Sequence, residues 1–198
     1  FMLDSWAGRV LEAHKRFQLL TPLRGGDWGV EGLNQQLYDW LRDADETRFC
    51  IGHARTHDFW FRGRPVLVTR NDYGLGLMNG DVGITLSVPE REAGERLRVA
   101  FPRADGGIRW VLPSRLQDVE TVFAMTVHKS QGSEFEHAAL LLPERSNPVL
   151  TRELLYTAIT RARQRFSLIH GSPGVLAESL TRRVQRVSGL NVQGGEEV

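Results

Sequence analysis

The chain has 198 residues, of which 41% are hydrophobic and 25% charged, with a formal net charge of +1. That is room for one medium domain, or a domain carrying a small insertion. The near-neutral charge excludes a global polyelectrolyte field as the main route to a partner.

The N-terminal elements come first. Trp6, Val10, Leu11, His14 and Phe17 recur near i, i+4, i+8, which predicts an amphipathic helix over residues 5–17. Phe17–Leu20 reads as a short apolar strand ended by Thr21-Pro22, and Gly25–Gly29 as a loop. Leu33, Leu37, Trp40 and Leu41 predict a second helix over Val30–Leu41, with Trp6 and Trp40 at core positions. Residues 42–63 are polar and read as a surface connection. The texture changes at Arg64-Pro65. Val66–Arg70, Val82–Val88, Arg96–Phe101 and Ile108–Leu112 are β-like runs separated by turn-formers, which predicts a small antiparallel barrel. At about 60 residues it is small for independent stability, so it is expected as an insertion supported by its host. Val122–Val127 and Ala138–Leu142 are strands of the buried, parallel-sheet kind. Thr151–Arg163 reads as a helix with Thr151 as N-cap, Phe166–His170 as a strand, and Val175–Val187 as a last helix. The Gly- and Glu-rich tail, 191–198, is expected to be disordered. The fold class is α/β, a parallel-sheet core interrupted by an antiparallel β insertion.

The lysines narrow the chemistry. Only Lys15 and Lys129 are present; the other 23 basic residues are arginines. Each lysine follows a histidine, so no G-x-x-x-x-G-K-[ST] loop for β/γ-phosphates exists in the chain. One cysteine, Cys50, excludes an internal disulfide and points to a reducing compartment. The acidic opening Phe1–Asp4 lacks a signal-peptide pattern, and no apolar run reaches membrane-spanning length, so the expected location is cytoplasmic.

Two segments carry candidate chemistry. In Leu155–Arg163, helical spacing puts Thr157, Thr160 and Arg161 on one face and Leu155, Ala158, Ile159 and Ala162 on the packing side. A guanidinium so placed either clamps a transferring phosphoryl group or is a solvated arginine near a helix C-terminus. In Ala124–Phe135, a buried strand leads into a dense polar loop of the kind that holds ligands at the carboxyl ends of parallel strands. Thr126, His128, Lys129, Ser130 and Gln131 offer donors suited to a nucleic-acid backbone. Gly132 permits close backbone approach, and Glu134 offers an acceptor for a ribose hydroxyl. By composition alone, an ordinary polar turn fits as well.

Together, Thr126–Phe135 and Thr151–Arg163 resemble motifs V and VI of superfamily 1 helicases, closest to the RecD-type subunit, the alpha chain of bacterial exodeoxyribonuclease V (RecBCD). Leu23-Arg24, Gly29–Asn34, Thr69–Asp72, Leu77–Gly83 and Arg182–Leu190 extend the resemblance over roughly residues 18–190. It implies a RecA-like second motor domain, 2A, made of 1–61 plus 121–190, and an SH3-like 2B insertion at 62–120. It implies an ATP- and Mg²⁺-dependent motor running 5′ to 3′ on single-stranded DNA in double-strand-break repair and recombination, with RecB- and RecC-like partners. By the same resemblance, Arg161 reaches the γ-phosphate as an arginine finger and Thr160 supports it. Gly132, Glu134 and Arg24 lie on the nucleotide side. Thr126, His128, Lys129, Ser130 and Gln131 contact DNA or couple it to ATP, with Asn71 and Asn79 as further DNA-side positions. Walker A and B belong to a first motor domain that this chain lacks, so the chain alone is expected to be inactive. Two other readings remain: a DNA- or subunit-docking module, and the helicase domain of a conjugative relaxase.

Other features are weighed against plain explanations. Cys50, His53 and His57 have a C-x2-H-x3-H spacing, but a structural zinc needs four ligands and Asp58 is a poor fourth, so no metal is expected. Trp110 serves either packing or base stacking. Arg161, Arg163, Arg165, Arg182, Arg183 and Arg186 make the C-terminal elements locally basic, as a DNA- or subunit-facing surface or merely as a solvated face.

Overall fold

The computed structural model describes residues 2–44, 60–90 and 94–184. The Cys50/His53/His57 spacing and the 191–198 tail lie outside the described residues. In chain order the elements are α1 (Met2–His14), β1 (Phe17–Thr21), α2 (Val30–Ala44), β2 (Pro65–Val68), β3 (Val82–Glu90), β4 (Gly94–Pro102), β5 (Ile108–Val111), β6 (Val119–Thr121), β7 (Ala124–Thr126), β8 (Phe135–Leu141), α3 (Arg152–Ile159), β9 (Ala162–Ile169) and α4 (Pro173–Thr181). Four strands form a parallel sheet in the order β7-β1-β8-β9, and five form an antiparallel sheet in the order β5-β4-β3-β2-β6.

The parallel sheet owes its cohesion to continuous apolar runs. Leu20 and Leu140 are fully buried and pack with Met125, Val127, Leu154, Leu155 and Ala158. Each fully buried leucine contributes about 1.5–3 kcal/mol. Helix α3 starts where expected: the Thr151 hydroxyl accepts from the Leu154 amide at 3.3 Å. It ends earlier than its apolar pattern suggests. Ile159 is its last residue, Thr160 caps it, and the chain re-enters the sheet at Ala162. The long apolar run does not discriminate helix from strand, and the backbone of Arg161 pairs with the sheet instead, its carbonyl accepting from the Phe135 amide at 2.9 Å.

Three further expectations are corrected. The strand expected over Val122–Val127 is there but shorter, Ala124–Thr126 pairing beside β1, and Val119–Thr121, outside the expected β-like runs, joins the antiparallel sheet beside β2. The chain passes from one sheet to the other at their buried junction, where Val122 is 0% exposed. The antiparallel strands do not close into a barrel. β5 and β6 stand at opposite edges, and strands of four and three residues are too short to meet around the sheet. Trp40 is not core; it is 67% exposed. It shares a helical face with buried Leu33 but lies about 10 Å further along the axis, beyond the reach of the three-residue strand β7 that α2 covers.

Helix α1 lies on the antiparallel sheet rather than on the parallel one. Ala7 and Leu11, with Trp6 and Val10, pack on Ile84, Leu86 and Ala100, and Asp4 accepts from the Trp110 indole N–H at 2.7 Å. The other face of that sheet has its own core of Val66, Val68, Leu77, Val99, Phe101 and Val111. Gly83 sits against the Phe101 ring, where any side chain would collide. Leu67 and Val82 join the parallel sheet's core, so the two sheets share a hydrophobic junction.

Candidate functional site

The segment Val127–Glu134 connects β7 to β8 without a helix. Strand registers set its span. Thr126 pairs with Thr21, one step beyond the Leu20–Leu140 pair, and so stands near the carboxyl end of β8. Phe135 stands at the amino end, beside Ala162. Six strand residues separate those levels, about 20 Å at 3.3 Å each. The loop therefore descends the sheet instead of sitting only at its carboxyl edge.

Its upper half is a tight hydrogen-bonded turn. The Ser130 amide donates to the Thr126 carbonyl at 3.1 Å, the Lys129 amide to the Thr126 hydroxyl at 3.2 Å, and the Gln131 amide to the His128 carbonyl at 3.2 Å. Ser130 is fully buried, and its hydroxyl donates to the Val127 carbonyl at 2.7 Å. Ser130, grouped with the residues expected to contact DNA or couple it to ATP, thus has its hydroxyl engaged within the turn. Gly132 has φ +87, a left-handed conformation that a side chain would strain. His128, Lys129, Gln131, Gly132 and Glu134 are exposed, and Thr126 is half-buried.

Arg161 reaches this loop from the far end of the sheet. Its Nη1 donates to the Ser133 carbonyl at 3.0 Å and more weakly to the Ser130 carbonyl at 3.5 Å. Its Nε donates to the Thr157 carbonyl at 3.2 Å, and its Nη2 to the Thr160 hydroxyl at 3.2 Å. The Thr160 hydroxyl in turn donates to the Thr157 carbonyl at 2.9 Å. A guanidinium has five N–H donors; these contacts use four and fix its plane. The face expected from helical spacing thus survives the early end of α3, because Thr160 and Arg161 bond back to its last turn. Of the two readings open for Arg161, the structure favours a positioned guanidinium over a freely solvated one.

Neighbouring charges are paired. Glu134 accepts from Arg163 Nε at 2.8 Å. Lys129 is ion-paired with Glu120 on β6, so the loop is tied to the antiparallel sheet. Nothing in the sequence marks Glu120 as this partner, since it lies nine residues before Lys129 on a strand of the other sheet. Glu153, in the first turn of α3, is held below the usual carboxylate range by hydrogen bonds from its own backbone amide, Arg152 and the Val184 amide.

The remaining candidates are dispersed. Arg24 is exposed in the β1–α2 loop, 3.8 Å from Glu31. The first amides of α2 are consumed by that loop, Val30 donating to the Leu23 carbonyl and Glu31 to the Arg24 carbonyl, each at 3.1 Å. Gly29 is required there because a side chain would strike the Gly25 carbonyl. Asn71 and Asn79 lie together on the hairpin after β2, the Asn79 amide donating to Asn71 Oδ1 at 2.8 Å. Among the described residues, that hairpin makes no hydrogen bond or ion pair with Arg161. A residue missed at the sequence level is Asn34. It is buried on α2, and its side chain pairs with both backbone groups of Ala124 on the outer edge of β7. A polar side chain next to Leu33 on the apolar face of an amphipathic helix was the available signal.

Residues 121–169 match the model of the UvrD-like helicase C-terminal domain. The RecBCD enzyme subunit RecD of Mycobacterium tuberculosis is 41% identical over 93% of this chain and 29% of its own length. This chain is homologous to a segment of the RecD-type proteins. The Haemophilus influenzae RecD subunit is 35% identical over 94% of this chain and 26% of its own length. The ATP-dependent RecD2 DNA helicase of Deinococcus radiodurans is 37% identical over 75% of this chain and 19% of its own length. The chain thus spans less than a third of the RecD-type relatives it matches. Among solved structures, a Bacteroides Pif1 helicase in complex with ADP-AlF3 and ssDNA aligns over 85% of this chain and 45% of its own, at 16% identity and a TM-score of 0.45.

Proposed function

We propose that this chain is the second motor-core segment, RecA-like 2A with an inserted 2B element, of a RecD-type ATP-dependent DNA helicase. The observation that carries the reading is Arg161 clasped onto the loop that begins at Thr126 and His128. One segment then runs from a strand-contacting end, with exposed His128, Lys129 and Gln131, to a phosphate-sensing end at Gly132 and Arg161. A change in what the guanidinium touches is transmitted through the Ser130 and Ser133 carbonyls to the turn that holds Thr126.

The residues fit ATP in one limited way. They supply a rigid, charge-carrying finger with a donor to spare, which stabilises charge developing on a γ-phosphate. They do not supply a P-loop cradle, and the Mg²⁺ ligands belong with that cradle in the first motor domain of the parent. Glu134 and Arg24 flank the nucleotide in this reading, Thr160 fixes the finger, and Ser130 acts as a structural brace. The parent works on single-stranded DNA, with RecB- and RecC-like subunits, in exodeoxyribonuclease V; the homology to RecD subunits supports that assembly. The domain boundaries proposed are 1–61 plus 121–190 for 2A and 62–120 for 2B, with α1 strapped across the insertion.

The test uses the parent protein. Arg161→Ala is expected to lower DNA-stimulated ATP turnover by about a thousandfold or more, with nucleotide-free binding to oligo(dT) retained. Arg161→Lys should not restore turnover, because an ammonium cannot hold the planar fork. The 198-residue chain alone should show no ATP hydrolysis. Wild-type turnover in the parent Arg161→Ala variant would refute the finger assignment.

A further inference from the structure

We propose that the β5 edge of the antiparallel sheet carries a second contact for single-stranded DNA, in which Arg98, Arg109 and Arg115 hold a backbone phosphate and Tyr73 stacks on the adjacent base. This rests on the reading of the chain as part of a single-strand-binding motor, and adds a site outside the Thr126–Arg161 loop.

A cavity of about 250 Å³ opens at this edge, lined by those three arginines with Leu75, Trp110 and Leu112 among its walls. Among the described residues, no aspartate or glutamate lines it. Three guanidinium groups around one cavity favour the entry of an anion, and the volume admits a phosphate with its sugar. The fork geometry of arginine suits phosphate oxygens bidentately. Arg109 is fixed by donating Nη1 to the Leu75 carbonyl. Arg98 is half-buried and ion-paired with Glu90 at 3.6 Å. Arg115 is exposed and makes no ion pair among the described residues.

The residue that leads into the cavity wall points to the kind of anion. Gly74 and Leu75, which line the cavity, follow directly on Tyr73, which is 80% exposed. The Tyr73 hydroxyl accepts from Asn71 Nδ2 at 3.3 Å, which steadies the ring in solvent. An aromatic platform beside a phosphate pocket is the arrangement that binds unpaired bases. A duplex keeps its bases stacked inside and leaves Tyr73 unused. An acidic peptide engages the arginines but has no base for the ring.

The experiment measures fluorescence anisotropy of labelled oligo(dT) with the 198-residue chain at low salt. Tyr73→Ala should weaken binding about tenfold, or 1.4 kcal/mol, and Tyr73→Phe should bind as wild type. Against an abasic oligonucleotide of the same length, Tyr73→Ala should have no effect. Arg115→Ala should weaken both ligands and reduce the slope of log K against log salt by about 0.7. Equal losses for Tyr73→Ala on the thymine and abasic strands would overturn stacking. Unchanged binding in Arg115→Ala, or polyglutamate displacing the oligonucleotide more readily than unlabelled oligo(dT) does, would overturn the phosphate pocket. The two readings fail differently. If the wild-type chain binds no oligonucleotide, the single-strand reading itself falls. If it binds, and Lys129→Ala weakens it while the Tyr73 and Arg115 variants do not, only the second site falls.

Discussion

Asn34 offers the most direct test of how the loop is supported. Strand β7 is the outer edge of the parallel sheet, so one side of its backbone has no strand partner. Asn34 supplies it. Its Oδ1 accepts from the Ala124 amide at 2.9 Å, and its Nδ2 donates to the Ala124 carbonyl at 3.0 Å and to the Val30 carbonyl at 2.9 Å. The amide side chain thus acts as one residue of an extra strand. Asn34→Ala removes it and leaves the Ala124 N–H and C=O buried without partners. Each unsatisfied buried group costs about 1–3 kcal/mol, so the expected loss is about 2–6 kcal/mol. At roughly 2–4 °C per kcal/mol for a chain of this size, Tm should fall by at least about 4 °C. Urea unfolding should give the loss at unchanged m, and hydrogen exchange should show the Ala124 amide losing protection before those of β1 and β8. Asn34→Asp should be at least as damaging at neutral pH, because a carboxylate cannot donate to the Ala124 carbonyl. A loss below about 0.5 kcal/mol for Asn34→Ala, with Ala124 still protected, would refute the edge-strand account.

Two further outcomes are expected. Glu120→Gln should release Lys129 and strengthen oligo(dT) binding severalfold at low salt, while stability changes by no more than about 1 kcal/mol, the ordinary worth of an exposed pair; weaker binding would remove Lys129 from the strand-contacting set. Burial holds the His14 imidazole below its ordinary value, so the unfolded chain binds the proton more readily than the folded one. Stability should therefore be full above the unfolded value near 6.5 and fall as pH drops from there toward the folded value. Chemical denaturation of wild type and His14→Gln across pH 5–8 reads this directly, and an unchanged acid slope in the variant would exclude His14 as its source.

The α/β class, the antiparallel insertion and the candidate loop were legible because they are written in local patterns. Continuous apolar runs such as Ala138–Leu142 mark buried parallel strands, and Gly- and Asp-rich turns punctuate the insertion. Thr151 announces the start of α3 by itself, since an N-cap bond spans only three residues. The density of polar donors from Thr126 to Gln131, and the Thr-x-x-Thr-Arg spacing of 157–161, mark the candidate loop and guanidinium in the sequence alone.

What the sequence left undetermined depends on partners distant along the chain. Val119–Thr121 carries Glu120 and is not among the expected strands, yet it pairs with β2 five residues before Ala124–Thr126 pairs with β1, because strand pairing is chosen by distant partners and not by the local pattern. Whether five short strands close into a barrel depends on their edges meeting, which no local signal records. Trp40 obeys the helical period and is still exposed, because the period does not say how long the opposing sheet is. The ion pair of Lys129 with Glu120, the bond of Asn34 to Ala124 and the gathering of Arg98, Arg109 and Arg115 around one cavity arise only when separate strands are stacked side by side. Residue chemistry determined what this chain has available for phosphate and nucleic acid; tertiary packing decided which of those groups are positioned, which are neutralised and which remain open.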